Sequence, residues 1–332
     1  MRITVIGAGV AGLTSALALA ERGCEVEVLE CGPALGAASC SRWAGGMLAP
    51  WCERESAEEL VVELGREALD WWPARHDGTV RRGTLVVAQH RDEPELERFA
   101  KRTRGFAWLD GERLAALEPD LGGRCTKGLY FAAEGHLDPR AALRSLAHRL
   151  ESLGGHIRFG VDADPAAIPG QVIDCRGLAA RDRLPDLRGV KGEMLVARCP
   201  EVALSRPVRL LHPRFPLYIV PRGEGLFMVG ATMIESDERC RITARSLVEL
   251  LNAAYALHPA FAEAEIVELG CDARPAFPDN LPRIRRAGDT LRVNGLYRHG
   301  FLLAPALARR VAGMVLDGAE YQEVTDEDHR QQ

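Results

Sequence analysis

The first 30 residues show a pattern of apolar and glycine-rich positions that predicts a strand, a tight turn, a helix and a second strand. The strands are Arg2 to Ile6 and Glu25 to Glu30, and the apolar helical stretch is Leu13 to Ala20. The turn between the first strand and the helix is Gly7 to Gly12. This order of elements is typical of proteins that hold the pyrophosphate of a dinucleotide at the N-terminus of a helix.

Each residue type in this turn has a physical role in such a site. Gly7 permits the tight turn out of the strand, Gly9 lets the backbone approach the phosphates, and Gly12 lets the helix pack closely on the strand. The free N–H groups and the positive end of the helix dipole favour an anion. Glu30 ends the second strand, where a carboxylate accepts hydrogen bonds from a ribose and disfavours a 2′-phosphate.

The remainder of the chain changes from strand–helix alternation to a strand-rich middle. Ser56 to Glu59 has the pattern of a capping box and predicts a helix to about Trp72. Asp138 predicts the start of a helix with proline at its first position, and Thr243 predicts another start. The predicted middle strands are 193–197, 217–221, 226–233 and 266–272. A final helix is predicted from Ala304 to about Leu316.

This organisation predicts an α/β chain of two domains. A nucleotide-binding domain is expected to be discontinuous, with an antiparallel-sheet domain inserted between its pieces. The predicted boundaries are 1–75, 135–185 and 285–332 for the first domain, and 76–134 and 186–284 for the second. Two domains also agree with a length of 332 residues.

Composition and charge exclude several classes of protein. The hydrophobic share of 47% and the charged share of 27% are ordinary for a globular chain, and the net charge of −5 argues against binding to nucleic acid or to an anionic membrane. No apolar run reaches the roughly 18 residues of a membrane helix, and a strand at the very start leaves no signal peptide, so we expect a cytoplasmic protein. The nine cysteines form no CxxC pair and are odd in number, which favours free thiols over disulfides or zinc.

A loop of small and hydroxyl-bearing residues follows the second strand, from Gly36 to Pro50. Such a loop can lie flat along an extended cofactor and form hydrogen bonds to its pyrophosphate and sugar-like chain. The end of the loop, Met47 to Pro50, is apolar. This argues against a flexible surface loop, because exposed loops rarely carry such residues.

Several motifs, in the same order, resemble those of the D-amino-acid-oxidase-like flavoproteins and, within them, the glycine oxidases of the thiamine-biosynthesis (ThiO) type. The resemblance covers essentially the whole chain. The motifs are the glycine turn, Ala44 to Met47, Leu217 to Arg222, Val229 to Met233, Ala273 to Pro275 and Tyr297 to Pro305. The first is shared by many flavoproteins, whereas the later ones together are more specific. The implied fold is an FAD-binding Rossmann-like domain with an inserted antiparallel-sheet substrate domain.

The resemblance implies non-covalently bound FAD. The implied pyrophosphate residues are Gly7, Ala8, Gly9, Val10, Ala11 and Gly12, and the implied adenosine residues are Glu30, Cys31 and the backbone of Val161. The residues implied along the ribityl chain are Ala38, Ser39, Ala44, Gly45, Gly46 and Met47. The residues implied beside the pyrimidine part of the flavin are Leu296, Tyr297, Arg298, His299, Gly300, Phe301 and Leu302. A glycine turn before a helix start suits this last place, because it offers N–H groups where charge builds on reduction.

The same resemblance implies four substrate-binding residues. Arg274 would hold a substrate carboxylate with its planar guanidinium, and the Tyr218 hydroxyl would donate to the same carboxylate. Arg298 would lie near substrate and flavin, and Met233 would form an apolar wall. The residues alone also allow a structural salt bridge for Arg274 and core positions for Tyr218 and Met233. Pro216 stands where the glycine oxidase pattern has a polar residue, so one polar contact to the substrate is lost.

The implied activity is the oxidation of glycine, and of small amines such as sarcosine, to glyoxylate, ammonia and hydrogen peroxide. Dioxygen would accept the electrons, and the product would feed thiazole synthesis for thiamine. The mechanism demands no protein base and no metal, so no catalytic residue is expected beyond the binding set. The alternatives left open are an oxidase of an N-substituted glycine or a D-amino acid, a quinone-linked D-amino acid dehydrogenase, and a flavin-binding protein without turnover. The oligomeric state, including a homo-oligomer, is also left open.

Overall fold

The computed structural model describes residues 1–212 and 217–325. Pro216, the departure from the glycine oxidase pattern, therefore lies outside the described residues. Within the described ranges, no helix combines the length and the apolar character needed to cross a membrane. All nine cysteines fall in these ranges, and each is a free thiol.

The described strands form two large sheets and one small one. In chain order they are β1 (Arg2–Ile6), β2 (Glu25–Glu30), β3 (Met47–Leu48), β4 (Thr84–Ala88), β5 (Ala107–Asp110), β6 (Lys127–Phe131), β7 (Gly135–His136), β8 (His156–Phe159), β9 (Gln171–Asp174), β10 (Arg188–Arg198), β11 (Val208–Leu211), β12 (Leu217–Gly223), β13 (Leu226–Gly230), β14 (Ile234–Glu235), β15 (Glu265–Ala276), β16 (Arg283–Ala287) and β17 (Thr290–Asn294). The strand predicted over 226–233 ends earlier, at Gly230, because Ala231 and Met233 leave the ladder to line the cavity described below.

The first large sheet has the strand order β16-β17-β9-β1-β2-β8. Strand β1 is parallel to its neighbours β2 and β9, and its carboxyl end leads directly into Gly7. The chain moves to one side of β1 through α1 (Val10–Ala20) and returns much later to the other side as β9. In parallel sheets, ligands bind outside the carboxyl ends of the strands at such a switch point.

The second large sheet has the order β14-β10-β13-β12-β11-β4-β6-β5, with β15 also paired to β10. Its pairs are antiparallel except for β4 with β11. The long β10–β15 pair brings Arg274 opposite Val190, and Asp272 opposite Gly192. This register places the residue implied for carboxylate binding on the face of a rigid, paired strand.

The remaining helices are α2 (Pro50–Glu53), α3 (Glu59–Arg66), α4 (Ala68–Trp71), α5 (Glu93–Arg102), α6 (Gly111–Leu117), α7 (Pro139–Ser152), α8 (Ala244–Leu257) and α9 (Gly300–Leu316). The helix starts predicted at Asp138 and Thr243 are confirmed, because each side chain accepts a hydrogen bond from a backbone N–H three residues later. The capping box predicted at Ser56 is wrong. Helix α3 begins without a side-chain cap, and the Glu59 carboxylate is held by Arg54 at 3.1 Å instead.

The last helix begins at Gly300, one turn earlier than predicted, so Pro305 lies inside it. Proline has no N–H, so the carbonyl of Phe301 loses its usual helical donor. The indole N–H of the buried Trp72 donates to that carbonyl at 2.8 Å. The helix therefore tolerates the proline, and its N-terminus lies closer to the implied flavin residues than the sequence pattern indicates.

The two largest hydrophobic cores of the described residues support the two large sheets. In the first, the buried side chains of α1 and α9 pack together beside the parallel sheet, with Leu13, Leu17, Leu303 and Leu307 at most 1% exposed. The second core lies between the antiparallel sheet and helices α6 and α8. Because α1 and α9 pack side by side, their first turns can line a common cavity.

Candidate active site

One elongated cavity, with a volume of about 370 Å³, is lined by residues of both large sheets. It includes every residue that the sequence implies for the cofactor except Ala8 and Gly12 of the glycine turn. It also includes all four residues implied for the substrate: Arg274, Tyr218, Arg298 and Met233. The structure thus brings together residues that are up to about three hundred positions apart in the sequence.

The glycine turn is shaped by close backbone contacts. Gly7 has φ of +97°, a conformation that side-chain-bearing residues rarely adopt, and a Cβ there would lie 2.6 Å from the carbonyl oxygen of Cys175. A Cβ at Gly12 would overlap the carbonyl oxygen of Gly7. Any larger residue at either position would push the first turn of α1 away from the sheet.

The Glu30 carboxylate ties the glycine turn to the segment after β2. One oxygen accepts the Ala8 N–H at 2.6 Å and the other accepts the Gly32 N–H at 2.8 Å, while the residue still lines the cavity. Each carboxylate oxygen has lone pairs left for a ribose hydroxyl. The Val161 N–H is already donated to the Glu30 carbonyl at 3.0 Å, so its carbonyl is the backbone group left for an adenine contact.

The small-residue loop is held in place by side chains that sequence reasoning did not assign. The Ser41 hydroxyl accepts the Val10 N–H at 3.1 Å and so joins the loop to α1. The Arg222 guanidinium donates to the carbonyls of Ala44 and Gly45 at 3.3 and 2.9 Å. Burial lowers the pKa of Arg222 to about 10, which still leaves it charged at neutral pH. Arg222 ends the motif Leu217 to Arg222, which is one of those that carry the family resemblance, and this motif is the sequence signal that could have identified it.

Two helix N-termini open on the cavity, and neither N-cap residue, Gly9 or His299, caps its helix with a side chain. Helix α1 has Gly9 as its N-cap, and helix α9 follows the turn Tyr297–His299 and starts at Gly300. Residues of both first turns line the cavity. Uncapped N–H groups and the positive ends of helix dipoles favour negative charge. The cavity therefore offers two separate places that suit an anionic or electron-rich group.

Arg274 and Tyr218 present unused hydrogen-bonding groups to the cavity. The Arg274 guanidinium donates to the carbonyl of Thr232 at 3.2 Å. No carboxylate of the described residues lies within ion-pair distance of it, so a structural salt bridge does not account for Arg274 in these ranges. The Tyr218 hydroxyl likewise has no hydrogen-bond partner among the described residues, and its ring packs against Gly45.

Met233 lies at the surface of the cavity and is 51% exposed, so it is not a core methionine. Its sulfur contacts Arg298 Nη1 at 3.2 Å and the Tyr297 hydroxyl at 3.6 Å. The thioether thereby joins the segment after β13 to the turn before α9. This arrangement places an apolar, adaptable side chain beside Arg298 of the implied substrate site and Tyr297 of the implied flavin site.

A buried charge cluster next to this end of the cavity was missed by the sequence analysis. Glu53 forms an ion pair with Arg209, and its second oxygen lies 3.5 Å from Arg298 Nη2 and 3.4 Å from His299 Nδ1. Burial would raise the pKa of Glu53, but these three partners lower it to about 2. Burial lowers the pKa of His299 to about 4, so the imidazole is neutral at pH 7. No motif marks Glu53 or Arg209, because their pairing depends on tertiary structure.

Comparison with known proteins identifies relatives along the whole chain. The family described as DAO, FAD dependent oxidoreductase, matches residues 2–314. The "Putative thiamine biosynthesis oxidoreductase ThiO" of Rhizobium etli is 60% identical over 317 residues, which cover 95% of this chain and 97% of the relative. A glycine oxidase of Bacillus licheniformis is 26% identical, with 94% of this chain and 92% of the relative covered. The solved glycine oxidase of Geobacillus kaustophilus shares the fold, with a TM-score of 0.82, 23% identity and 96% of each chain covered.

Proposed function

Because the chain belongs to the FAD-dependent oxidoreductase family, we propose that it oxidises a small amine that carries a carboxylate, with glycine as the first candidate substrate. The observation that carries this proposal is the Arg274 guanidinium, which lines the cavity and has no carboxylate partner among the described residues. A guanidinium and a tyrosine hydroxyl that line one cavity and have no such partners among the described residues are suited to a carboxylate. The products with glycine are glyoxylate, ammonia and hydrogen peroxide.

The residues of the cavity fit FAD. The crowded glycine turn, the N-terminus of α1 and the Glu30 carboxylate suit a pyrophosphate and an adenosine ribose without a 2′-phosphate. We assign the pyrophosphate to residues 7–12, the adenosine to Glu30, Cys31 and Val161, and the ribityl chain to Ala38, Ser39 and 44–47. We assign the flavin ring to residues 296–302. FAD would supply the acceptor for the two electrons that leave the amine, and dioxygen would be their final acceptor.

The chain's own residues would bind and orient the substrate. Arg274 takes the carboxylate through two parallel hydrogen bonds, Tyr218 adds a third, and Met233 limits the room for a side chain. The lowered pKa values of Glu53, about 2, and of His299, about 4, make both groups weak bases toward a proton of the amine. This supports a reaction in which positioning dominates and no protein base is used.

The relatives support glycine and a role in thiamine biosynthesis. The Rhizobium etli relative carries a thiamine-biosynthesis name, and the Bacillus licheniformis relative is named a glycine oxidase. On this proposal the glycine-derived product feeds the formation of the thiazole ring. An N-substituted glycine or a D-amino acid also carries a carboxylate that Arg274 could bind. The substrate therefore has to be identified by assay.

The test uses the purified yellow holoenzyme. Anaerobic addition of glycine is expected to bleach the flavin absorption, and readmission of air is expected to restore it and release peroxide. The same assay with sarcosine, D-alanine and D-proline ranks the alternatives, and turnover with dyes but not with oxygen would indicate a dehydrogenase. Arg274→Gln is expected to raise KM steeply while FAD stays bound, whereas Arg113→Gln, an exposed arginine on α6, serves as the matched control. Unchanged kinetics in Arg274→Gln would contradict the proposal.

A further inference from the structure

We propose that Glu193 and Thr232 position the Arg274 guanidinium for carboxylate binding, so that the affinity for the substrate is set in part by two residues that do not touch it. This inference rests on the proposed function, because it assumes that Arg274 binds the carboxylate. Thr232 does not line the main cavity. Neither residue was singled out by the sequence analysis.

Glu193 is a charged residue in the middle of strand β10 with no exposed surface. Its carboxylate lies 2.8 Å from the ammonium group of Lys191, which is itself buried, and accepts the Thr243 N–H at 3.0 Å. A buried carboxylate is costly unless such partners hold it. The partners fix Glu193 and at the same time join β10 to the first turn of α8.

Thr232 is bound to Glu193 at three points. Its hydroxyl accepts the Glu193 N–H at 2.9 Å and lies 3.5 Å from one oxygen of the Glu193 carboxylate. Its own N–H donates to the Glu193 carbonyl at 3.1 Å. These bonds hold the peptide that follows β13 in one orientation, although this segment has left the sheet ladder.

The orientation of this peptide sets the direction of the Thr232 carbonyl. That carbonyl accepts a hydrogen bond from the Arg274 guanidinium at 3.2 Å. The guanidinium also packs on Gly192, the residue before Glu193, where a Cβ would overlap it. A guanidinium has five N–H groups, and the described residues engage one of its nitrogens in a hydrogen bond. The carbonyl and the glycine surface thus hold one side of the group and leave other N–H groups for a bidentate ligand.

Thr232→Val separates this role from a general effect on folding. Valine keeps the shape of threonine but removes the hydroxyl, so two of the three bonds to Glu193 are lost and the Thr232 carbonyl is held less firmly. A loss of about 1.4 kcal/mol in preorganisation corresponds to a tenfold weaker carboxylate affinity. We expect KM for glycine to rise about tenfold, while kcat at saturation stays within about threefold. Thr232→Ser keeps the hydroxyl and is expected to restore most of the affinity.

The decisive measurement is the affinity of the holoenzyme for two probes that it does not oxidise, acetate and acetamide. Binding of each probe is monitored by the change in flavin absorption. Acetate carries the carboxylate and acetamide is its neutral analogue of similar shape. Thr232→Val is expected to weaken acetate about tenfold and acetamide less than twofold, with FAD content and Tm close to those of the parent enzyme. Thr232→Ala also removes the hydroxyl and leaves the Glu193–Lys191 ion pair intact, and it tests the same link if the valine variant does not fold.

Arg274→Gln separates failure of this inference from failure of the proposed function. If Arg274→Gln weakens acetate and Thr232→Val leaves it within twofold, the positioning role is wrong and the carboxylate role of Arg274 stands. If Thr232→Val weakens both probes equally, the role is structural and the inference is wrong. If Arg274→Gln leaves acetate binding unchanged, the proposed function fails and the inference fails with it.

Discussion

Arg239 and Asp272 form a two-point ion pair, with Nε to Oδ1 at 2.6 Å and Nη2 to Oδ2 at 3.2 Å. The same Nη2 donates to the carbonyl of Ala38 at 2.8 Å, and all three residues line the cavity. The pair therefore joins strand β15, just ahead of Arg274, to the loop that we assign to the ribityl chain.

Arg239→Gln is expected to weaken FAD binding. Glutamine cannot reach both Asp272 and Ala38, so the loop loses its contact with β15 and its ordering has to be supplied when FAD binds. We expect the FAD dissociation constant, measured by quenching of flavin fluorescence on titration into apoprotein, to rise about threefold to tenfold. Arg241→Gln is the matched control, because that side chain pairs with Glu238 outside the cavity. Equal affinities in the two variants would show that the contact with Ala38 is unimportant.

Glu53→Gln is expected to destabilise the protein strongly. The substitution leaves the buried guanidinium of Arg209 without its carboxylate, and removal of one partner from a buried ion pair costs about 3–5 kcal/mol. The measurement is the free energy of unfolding in urea for the holoenzyme. Glu58→Gln, on the exposed N-cap of α3, is expected to change it by less than about 0.5 kcal/mol. Equal stability of the two variants would mean that Arg209 finds another partner.

Glu134→Gln is expected to change the pH dependence of stability. Burial raises the pKa of Glu134 to about 7, so the folded protein holds a proton there that the unfolded chain releases above about pH 4.5. A group with a raised pKa loses its stabilising effect as pH rises, here between about 4.5 and 7. Glutamine keeps an acceptor for the Cys52 N–H, which donates at 2.8 Å, and cannot ionise. The free energy of unfolding of the variant should therefore exceed that of the parent enzyme by more at pH 8 than at pH 5. A difference that does not vary with pH would show that Glu134 is ionised in the fold.

Met233→Ala is expected to shift substrate preference toward larger amines. The side chain is half-exposed, so its removal leaves no core cavity, but it widens the space beside Arg298 and Tyr297. A difference of one methylene group in a pocket changes selectivity by about tenfold to two hundredfold. We expect the kcat/KM ratio of D-proline to glycine to rise about tenfold in the peroxide assay. A ratio equal to that of the parent enzyme would remove Met233 from the substrate wall.

The local parts of the fold were predictable from the sequence, and the tertiary parts were not. The strand, glycine turn and helix from Arg2 to Ala20 depend on neighbouring residues, and the structure confirms them. The start of α9 was misplaced because Pro305 normally ends or begins a helix, and its compensation by Trp72 is a contact across 229 residues. Such compensation leaves no periodic pattern in the chain.

The candidate site divides in the same way. Arg274 and Tyr218 were found through motifs that resemble a family, and their roles stay predictions. Glu53 lies on α2 and Arg209 lies on β11. They form their ion pair only when the second sheet packs against α2. The sequence places 155 residues between them, and charge alone does not select one glutamate from the acidic residues of the chain.

The packing of α9 against α1 has a consequence for the order of events during synthesis. The cavity takes one wall from the first turn of α1 and another from Gly300, near the opposite end of the chain. A nascent chain that does not yet contain α9 presents an open groove that lacks one of the two helix N-termini. Tight capture of the cofactor must therefore wait until α9 has been synthesised, and a chain that stops before Gly300 should be unable to retain FAD.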